Sequence, residues 1–425
     1  MNTELLIEKL QSQEFDEKLL DIYVDSKLLD YQKKRYMKAV KKFEELYGAG
    51  EVKVFSAPGR SEVGGNHTDH QHGKVLATSI NLDSIGIVRA TNDNVIRLVS
   101  DEYQEIVISL DKMWLQEKEK GTTAALIKGV VAGFIERHYK VGGFSAYVTS
   151  DVLIGAGLSS SAAFETLIGT ILSGLYNNMA VSAVEIAIIG QFAENVYFGK
   201  PCGLMDQMAC SVGNLVYIDF KTPGKPVVEK VEFDMEQYGY SLCITDTKGS
   251  HADLTDEYAA VPKEMKLVAE HFGQEVLRGI TTQDILKEMG TLRSKYGDRS
   301  VLRALHFVNE NERVVLEVEA LKNGDFEQFL QYVKASGDSS YKHLQNVYAN
   351  SDVTSQNVSV ALAASDVVLR ANGVSRVHGG GFAGTIQAFV KNCYVEEYKK
   401  NMDSIFGNGS CSDLKIRKYG GIQVV

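Results

Sequence analysis

Hydrophobic and polar positions follow two periods along this chain, and together they predict a fold of both helices and strands. Apolar residues three or four positions apart are typical of amphipathic helices, whereas strict alternation is typical of strands. The helical spacing covers residues 1–48, 122–139, 159–176, 182–199, 258–272, 300–322 and 326–344. The strand patterns cover residues 52–60, 74–90, 96–100, 142–157, 214–220 and 240–247, and two further strands flank a glycine turn within 374–391. We expect an α/β or α+β protein.

The length of the chain predicts more than one lobe. At 425 residues it exceeds the roughly 100–200 residues of an ordinary domain, so we expect a site in a cleft between two lobes. We assign residues 1–48 to an N-terminal helical appendage whose apolar face includes Phe43 and Leu46. The composition shift at KTPGKP divides an N-terminal domain, 49–220, from a C-terminal domain, 221–425.

A cluster of short polar side chains follows the first predicted strand. We expect that strand to break at Pro58-Gly59 and to deliver Arg60 into a loop, because proline and glycine interrupt strands. The loop continues as GGNHTDHQHG, residues 64–73. Its amide, imidazole and carboxylate groups leave three interpretations open, namely a substrate pocket, a metal site and a polar loop without function. On ligand type alone, a transition-metal site built from the three histidines of the loop, His67, His70 and His72, stays open.

A second motif combines glycines with the start of a helix. Gly155 and Gly157 form a turn after an apolar strand, and the serines of residues 159–161 open the helix that follows. Free amides and a partial positive charge at a helix N-terminus favour phosphate. The motif is not a Walker A loop, because no Gly-Lys-Ser/Thr follows, and Ser160 replaces the third glycine of a dinucleotide fingerprint. Three serines exceed the one that capping needs.

Two acidic residues lie downstream at a spacing that suits one site. Glu194 is on a predicted helix, and Asp206 follows twelve residues later with Gly203 in the turn between them. One carboxylate of such a pair suits Mg²⁺, and the other suits a substrate hydroxyl. Taken without the other motifs, an exposed glutamate and a turn-forming aspartate explain the same spacing.

Composition narrows the protein class. The formal net charge of −10 opposes binding to nucleic acid or anionic lipid, so a phosphate ligand has to be held locally. The five cysteines are widely spaced without a paired CxxC, which predicts buried thiols in a reducing compartment. The N-terminus is charged throughout and no run approaches the ~18 apolar residues of a membrane span. We therefore expect a cytoplasmic enzyme.

Four stretches in this order resemble the galactokinase family within the GHMP small-molecule kinases. They are APGRSEVGGNHTDHQHGKVLATSI, GAGLSSSAA, CGLMDQ and SRVHGGGFAGT, and the resemblance runs from about Phe43 to the C-terminus. It implies a two-lobed α+β fold with the site in the cleft. It also implies ATP-dependent phosphorylation of the anomeric hydroxyl of a sugar, with D-galactose as the first candidate. The implied partners are a sugar and ATP, without nucleic acid or membrane.

The resemblance also implies residue roles. Asp206 and Arg60 would be the catalytic pair, and Ser161 and Glu194 would hold Mg²⁺. The implied sugar ligands are Asn66, His67, Asp69, Gly203 and Tyr258. The implied ATP-phosphate loop is Gly155, Ala156, Gly157, Leu158, Ser159, Ser160 and Ser161.

The first motif departs from the usual form, A-P-G-R-V-N-L-I-G-E-H-T-D-Y-N-x-G. Asn66 replaces a glutamate that in typical members accepts a hydrogen bond from the sugar 6-hydroxyl, and an amide loses that charge. Ser61 and Glu62 stand where Val and Asn are usual, Gly64 replaces an apolar residue, and His70 replaces tyrosine. Arabinose, galacturonate and N-acetylgalactosamine therefore stay open as substrates.

Two other classes are weighed against a sugar kinase. A non-catalytic sensor of galactose and ATP of the known type lacks a Ser-Ala pair after the glycine loop, whereas Ser161-Ala162 is present here. Mevalonate and homoserine kinases are expected to lack the Asn/Glu-His-Thr-Asp loop.

Overall fold

The computed structural model describes residues 1–101, 103–152, 157–222, 224–250 and 254–425. Its helices in this part of the chain are α1 (Thr3–Gln11), α2 (Asp16–Tyr23), α3 (Leu29–Tyr47), α4 (Thr123–Glu136), α5 (Ser160–Tyr176), α6 (Ala183–Phe192), α7 (Met205–Val212), α8 (Thr255–His271), α9 (Thr282–Lys287), α10 (Met289–Tyr296), α11 (Asp298–Lys322), α12 (Phe326–Ser339), α13 (Asn357–Leu369) and α14 (Val395–Phe406). Short π-helical segments, Ala193–Phe198 and Ser340–Leu344, continue α6 and α12.

The strands form two sheets. They are β1 (Lys53–Gly64), β2 (Lys74–Ala90), β3 (Val95–Ser100), β4 (Ile106–Ser109), β5 (Phe144–Ser150), β6 (Leu215–Asp219), β7 (Val227–Val231), β8 (Tyr240–Asp246), β9 (Gly373–His378), β10 (Thr385–Lys391), β11 (Cys411–Leu414) and β12 (Ile422–Gln423). The first sheet has the order β12-β1-β2-β5-β3-β4, with β6 on β2 and β7 on β6, and the second has the order β11-β8-β10-β9. The predicted α+β fold is confirmed.

Helices cover both faces of the first sheet. Strand β2 is buried along almost its whole length, and its alternating side chains point to opposite sides. Ile85 and Ile87 pack with α1–α3 in one hydrophobic cluster, whereas Val88 packs with α4, α5 and α6 in another. The N-terminal helices are therefore the cover of one sheet face.

A buried carboxylate ties three distant segments together behind this sheet. Asp83 in β2 accepts hydrogen bonds from Arg35 of α3 at 2.6 Å, from Tyr23 of α2 at 2.9 Å and from Arg417 near the C-terminus at 2.9 Å. Burial opposes its charge, but the two arginines outweigh burial and lower the pKa of Asp83. Helices α2 and α3, strand β2 and the C-terminal segment are thus connected through the carboxylate of Asp83.

The second sheet is packed on both sides as well. Helices α11 and α12 cover it with Val318, Phe329 and Val333, and α13 and α14 cover the other side with Leu369 and Tyr398. This arrangement places the middle of α11, the C-terminal end of α12 and the β9–β10 turn near the predicted site residues, since His306, Ser340 and Gly379 all make hydrogen bonds with Asn66.

The first strand differs from its prediction. It does not break at Pro58-Gly59 but continues to Gly64, with register shifts between Pro58 and Arg60 and between Glu62 and Gly64. The long partner β2 keeps supplying backbone partners, and the irregularity accommodates the proline, which has no N–H to donate. Arg60 therefore projects from a strand rather than from a loop.

Three smaller expectations have mixed outcomes. Leu46 is 46% exposed, so it is not part of the apolar face, and Cys393 is an exposed thiol. Strand β7 and the last strand, β12, both belong to the first sheet. Sheet membership therefore does not divide the chain at residue 221, and the limits 1–48, 49–220 and 221–425 stay predictions.

Candidate active site

An arginine and an aspartate far apart in sequence form the centre of the site. Arg60 of β1 donates from Nε to Oδ1 of Asp206 at 2.7 Å and from Nη2 to Oδ2 at 2.8 Å. Asp206 lies in the first turn of α7. Two parallel charge-assisted hydrogen bonds hold the guanidinium and carboxylate groups in a common plane, so the carboxylate has a defined orientation.

Asp206 is held in its ionised form. Burial raises its pKa, but the charge and hydrogen bonds of Arg60 and a hydrogen bond from Ser159 Oγ, at 2.5 Å, outweigh burial and lower it. The side chain still has 34% of its surface exposed, whereas that of Arg60 has 8%. A charged acceptor therefore faces solvent with a buried cation behind it.

The serines at the start of α5 contact the carboxylates rather than cap the helix. Ser159 occupies the N-cap position with a left-handed backbone, φ 58°, and makes no side-chain cap bond, because its hydroxyl donates to Asp206. Ser161 Oγ donates to Glu194 Oε1 at 3.1 Å. The Gly157 carbonyl accepts from Arg60 Nη1. Gly155 and Ala156 of the predicted phosphate loop lie outside the described residues.

Glycine at position 59 permits the close approach of β1 to this turn. A Cβ at Gly59 would lie 2.8 Å from the carbonyl oxygen of Leu158, which itself accepts a hydrogen bond from Arg60 N at 3.1 Å. The irregular strand and the serine turn are thus locked together, and this contact places Arg60 beside Asp206.

Glu194 belongs to a network of buried carboxyl and amide groups that sequence reasoning missed. Gln207 Nε2 donates to Glu194 Oε2 at 2.8 Å and to Glu165 Oε2 at 3.1 Å. Lys200 Nζ lies 3.2 Å from Glu194 Oε1. Within the described chain, the remaining oxygens of Glu165 and Gln207 are buried without a partner. Gln207 adjoins Asp206 in sequence, which was the available signal for it.

The donor set around Ser161 and Glu194 fits a hard divalent cation. One hydroxyl and one carboxylate oxygen lie within 3.1 Å of each other, and Mg²⁺ is bound by such oxygens, usually with one or two carboxylates and substrate phosphates.

The structure brings most of the predicted sugar ligands together beneath the stretch SRVHGGGFAGT, residues 375–385, which we call the third glycine motif. A Cβ at Gly203 would lie 2.0 Å from Asp69 Oδ2, so these two residues are in direct contact. His67 Nε2 donates to Gly380 O at 2.9 Å, and Tyr258 Oη donates to Gly381 O at 2.7 Å. Burial raises the pKa of Tyr258 to about 12, and burial also raises the pKa of Asp69 despite His67.

Asn66 lies in the interior, with its hydrogen-bonding groups engaged by protein. Its Nδ2 donates to Glu62 Oε1 at 2.9 Å and to Gly379 O at 2.7 Å, while Oδ1 accepts from Ser340 at 3.2 Å and from Asn346 at 2.8 Å. The residue is 0% exposed. An amide makes about four hydrogen bonds, so this geometry does not favour Asn66 as a sugar ligand, and that role stays a prediction.

The remaining loop histidines form no metal centre. Both ring nitrogens of His70 are buried and accept or donate no hydrogen bond among the described residues, and burial lowers its pKa to about 3. No group of three or more His, Cys, Asp or Glu side chains in the described ranges is arranged to hold a metal. The transition-metal alternative therefore lacks a ligand set there.

Further site residues come from the third glycine motif. His378 Nε2 lies 3.0 Å from Ser61 Oγ, and His378 Nδ1 lies 2.8 Å from Thr385 Oγ1. Arg376 Nη2 donates to Glu62 Oε1 at 2.7 Å. The motif was recognised in the sequence, but the contacts of His378 with Ser61 and of Arg376 with Glu62 span more than 300 residues and had no local signal.

The fold and this site define the class of protein as a GHMP small-molecule kinase. The model described as GHMP kinases N terminal domain matches residues 125–214, which contain the serine turn, Glu194 and Asp206. The model described as Galactokinase galactose-binding signature matches residues 41–90. No helix in the described ranges is both long enough and apolar enough to cross a membrane.

Relatives narrow the class to one family. The chain is 31% identical over 374 residues to a galactokinase of Actinobacillus pleuropneumoniae serotype 5b (strain L20), covering 85% of this chain and 91% of that protein. It superposes on Lactococcus lactis galactokinase complexed with galactose with a TM-score of 0.76 and 24% identity, over 90% and 98% of the two chains. For Methanococcus jannaschii mevalonate kinase the TM-score is 0.61 at 15% identity, over 86% and 99%. The chain belongs to the galactokinase family, which confirms the resemblance.

Proposed function

We propose that this chain transfers the γ-phosphoryl group of ATP to the anomeric hydroxyl of D-galactose, forming α-D-galactose 1-phosphate and ADP. The observation that carries the proposal is the bidentate Arg60–Asp206 pair, held within hydrogen-bonding distance of the serine turn that opens α5. A charged acceptor beside a helix N-terminus is the arrangement that phosphoryl transfer to a hydroxyl requires.

Asp206 is the proposed base. Its carboxylate accepts the proton of the sugar hydroxyl as the hydroxyl oxygen attacks phosphorus, while Arg60 keeps the carboxylate charged and oriented. The lowered pKa of Asp206 supports this role because the group is ionised at neutral pH.

The start of α5 is the proposed binding site for the ATP phosphates. Its free amides and helix dipole stabilise negative charge, and the loop around Gly157 lies against Arg60. Ser161 and Glu194 would hold Mg²⁺. When bound there, the cation neutralises charge on the phosphates.

The sugar is proposed to lie against His67, Asp69, Gly203 and Tyr258. His67 and Tyr258 contact neighbouring carbonyls of the third glycine motif, and Asp69 contacts Gly203, which is three residues before Asp206. Together they offer donors and acceptors for several hydroxyls. A related sugar 1-kinase acting on arabinose, galacturonate or N-acetylgalactosamine is the second candidate, and the interior position of Asn66 is the observation that favours it. We infer a cytoplasmic location, which the free cysteines support.

The test is an assay of the purified chain with Mg²⁺-ATP and a panel of sugars, measuring ADP release and the sugar 1-phosphate. Turnover confined to galactose supports the proposal. Turnover on another sugar retains the chemistry and replaces the substrate. Silence on every sugar with galactose binding intact would replace the kinase by a sensor of galactose and ATP.

A further inference from the structure

Two departures from the usual signature are reciprocal. The usual form has Asn at position 62 and Glu at position 66, whereas this chain has Glu62 and Asn66. Both side chains are buried, at 4% and 0% exposure, and they are joined by a hydrogen bond of 2.9 Å from Asn66 Nδ2 to Glu62 Oε1. One carboxylate and one amide are therefore kept, in exchanged places.

We propose that Glu62 and Asn66 are a single exchanged pair that positions the third glycine motif over the sugar pocket and thereby sets the affinity for sugar. The two residues act through Gly379–Gly381, and neither is assigned a contact with substrate. The inference rests on the proposed sugar-kinase function for its affinity readout.

The carboxylate of the pair balances a buried cation. Arg376 of β9 is 1% exposed, and its Nη2 donates to Glu62 Oε1 at 2.7 Å while its Nη1 donates to the carbonyl of Val63. A buried arginine that loses its counter-charge is strongly unfavourable. A second carboxylate at position 66, about one hydrogen bond away from the first, is unfavourable for the opposite reason, because like charges in one buried site repel.

The amide of the pair has a separate requirement. Asn66 Nδ2 donates to Gly379 O at 2.7 Å, and an ionised glutamate has no donor for that carbonyl. The next two carbonyls of the motif accept from His67 and from Tyr258. Three consecutive carbonyls thus hold Asn66 and two proposed sugar ligands in register, so a shift at position 66 displaces the groups that line the pocket.

The experiment is a double-mutant cycle of Glu62→Asn, Asn66→Glu and the combined exchange. Galactose KM, ATP KM and kcat are measured for each variant, together with the midpoint of thermal unfolding. We expect each single change to raise galactose KM about tenfold and to lower the midpoint, with ATP KM unchanged. The combined exchange should recover most of the loss in midpoint, because one carboxylate again balances Arg376. Its galactose KM should be no higher than that of Asn66→Glu alone, because a glutamate at position 66 still cannot donate to Gly379 O, and this gives a coupling of at least about fivefold in kcat/KM.

The matched control is Glu317→Gln. Glu317 is equally buried and lies against β1, since a Cβ at Gly64 would fall 1.9 Å from its Oε2, but it makes no hydrogen bond in the described chain. Burial raises the pKa of Glu317 well above the ordinary value, so a neutral amide is close to a neutral carboxyl, and galactose KM should not change.

Three outcomes overturn the inference. The first is that the losses of the two single variants add up in the combined exchange. The second is that Asn66→Glu alone keeps the wild-type galactose KM and unfolding midpoint. The third is that the combined exchange recovers the midpoint while galactose KM equals the wild-type value in every folded variant. If the wild-type chain turns over another sugar, the proposed substrate fails but the cycle is measured with that sugar. If it turns over none, the galactose dissociation constant is measured in place of KM, together with the unfolding midpoint, and the same outcomes support or overturn the inference.

Discussion

At the scale of single residues, the site depends on the ion pair between the buried cation of Arg60 and the partly exposed carboxylate of Asp206. The side chain of Asp206 is only partly exposed, and its burial would by itself raise the pKa. The pKa is lowered instead. The bidentate contact from Arg60 resolves this by supplying a fixed positive charge. Removing either partner should therefore change the chemistry in a different and measurable way.

Replacing Asp206 with asparagine should abolish most turnover. The amide keeps the shape and accepts a hydrogen bond but takes up no proton, and a positioned base contributes roughly 10²- to 10⁴-fold to the rate. We expect kcat to fall by about that factor with galactose dissociation largely unchanged, measured by steady-state kinetics and calorimetry. A near-wild-type kcat would remove Asp206 from the role of base.

Replacing Arg60 with glutamine should move the acidic limb of the pH–rate profile upward. The wild-type carboxylate has a lowered pKa, so its protonation affects kcat/KM only below the ordinary value of ~3.9. Without Arg60, burial is no longer outweighed and the pKa rises. The profile of kcat/KM from pH 4.5 to 8 should then fall on its acidic side. Arg293→Gln, which removes an exposed arginine paired with Asp298, is the control, and identical profiles for all three proteins would contradict the argument.

At the scale of elements, the site is assembled where β1, the start of α5 and the start of α7 touch. The irregularity at Gly59 lets β1 approach the Leu158 carbonyl, and Ser159 then reaches Asp206. Ser159 has a left-handed backbone without being glycine, a conformation that persists only when surrounding contacts determine it. The elements therefore hold one another in place.

Substituting Gly59 with alanine tests this contact. The added Cβ would meet a backbone oxygen at 2.8 Å, which cannot rotate away, so β1 and the serine turn must separate. We expect a loss of roughly 1–3 kcal/mol in the free energy of unfolding, as for overpacked interiors, together with a higher ATP KM. Gly86→Ala is the control, because its Cβ would make only ordinary contacts of 3.5 Å to side chains. Equal behaviour of the two variants would show that the approach at Gly59 is not required.

The sequence predicts these elements better than their contacts. Periodicity identifies the helices and most strands, because each depends on neighbouring residues. It ends β1 too early, because the partner that extends the strand, β2, is specified elsewhere in the chain. The glycine–serine turn and the acidic pair are found from local pattern, whereas Glu165 and Arg376 are not, since their partners lie 42 and 314 residues away. The inward position of Asn66 depends on contacts with Ser340, Asn346 and Gly379, which lie far away in the sequence and cannot be predicted from the local motif.

At the scale of the whole molecule, the N-terminal helices and the C-terminal segment are fastened to the sheet that carries the site. Arg35 and Arg417 come from opposite ends of the chain and meet at Asp83, which is 0% exposed. The C-terminal strand β12 also pairs with β1, four residues before Arg60. The stability of the site-bearing sheet is thus coupled to both ends of the chain.

Replacing Asp83 with asparagine should destabilise the whole molecule without changing the chemistry of folded protein. Two buried arginines would lose their shared counter-charge, and breaking a buried ion pair costs about 3–5 kcal/mol. Because the folded pKa of Asp83 is lowered, its stabilisation is fully present above the unfolded value of ~3.9 and is lost as the pH falls through the folded value. The difference in urea midpoint between wild type and variant should therefore be large at pH 7 and shrink below about pH 4.

Asp151→Asn is the control for Asp83→Asn. It removes a carboxylate that also pairs with Arg35, but it leaves the pairing of Asp83 with Arg35 and Arg417 intact. Asp151 Oδ2 lies 3.0 Å from the same guanidinium, but its side chain is 18% exposed, it does not contact Arg417, and burial raises its pKa. A raised folded pKa means that the ionised carboxylate is less favourable in the folded than in the unfolded chain, so we expect little or no loss of stability at pH 7 and no shrinking of the difference between wild type and variant as the pH falls. Equal losses at pH 7 for the two variants would mean that Arg35 is stabilised by local charge alone, and that the connection from α3 through Asp83 to the C-terminus contributes nothing.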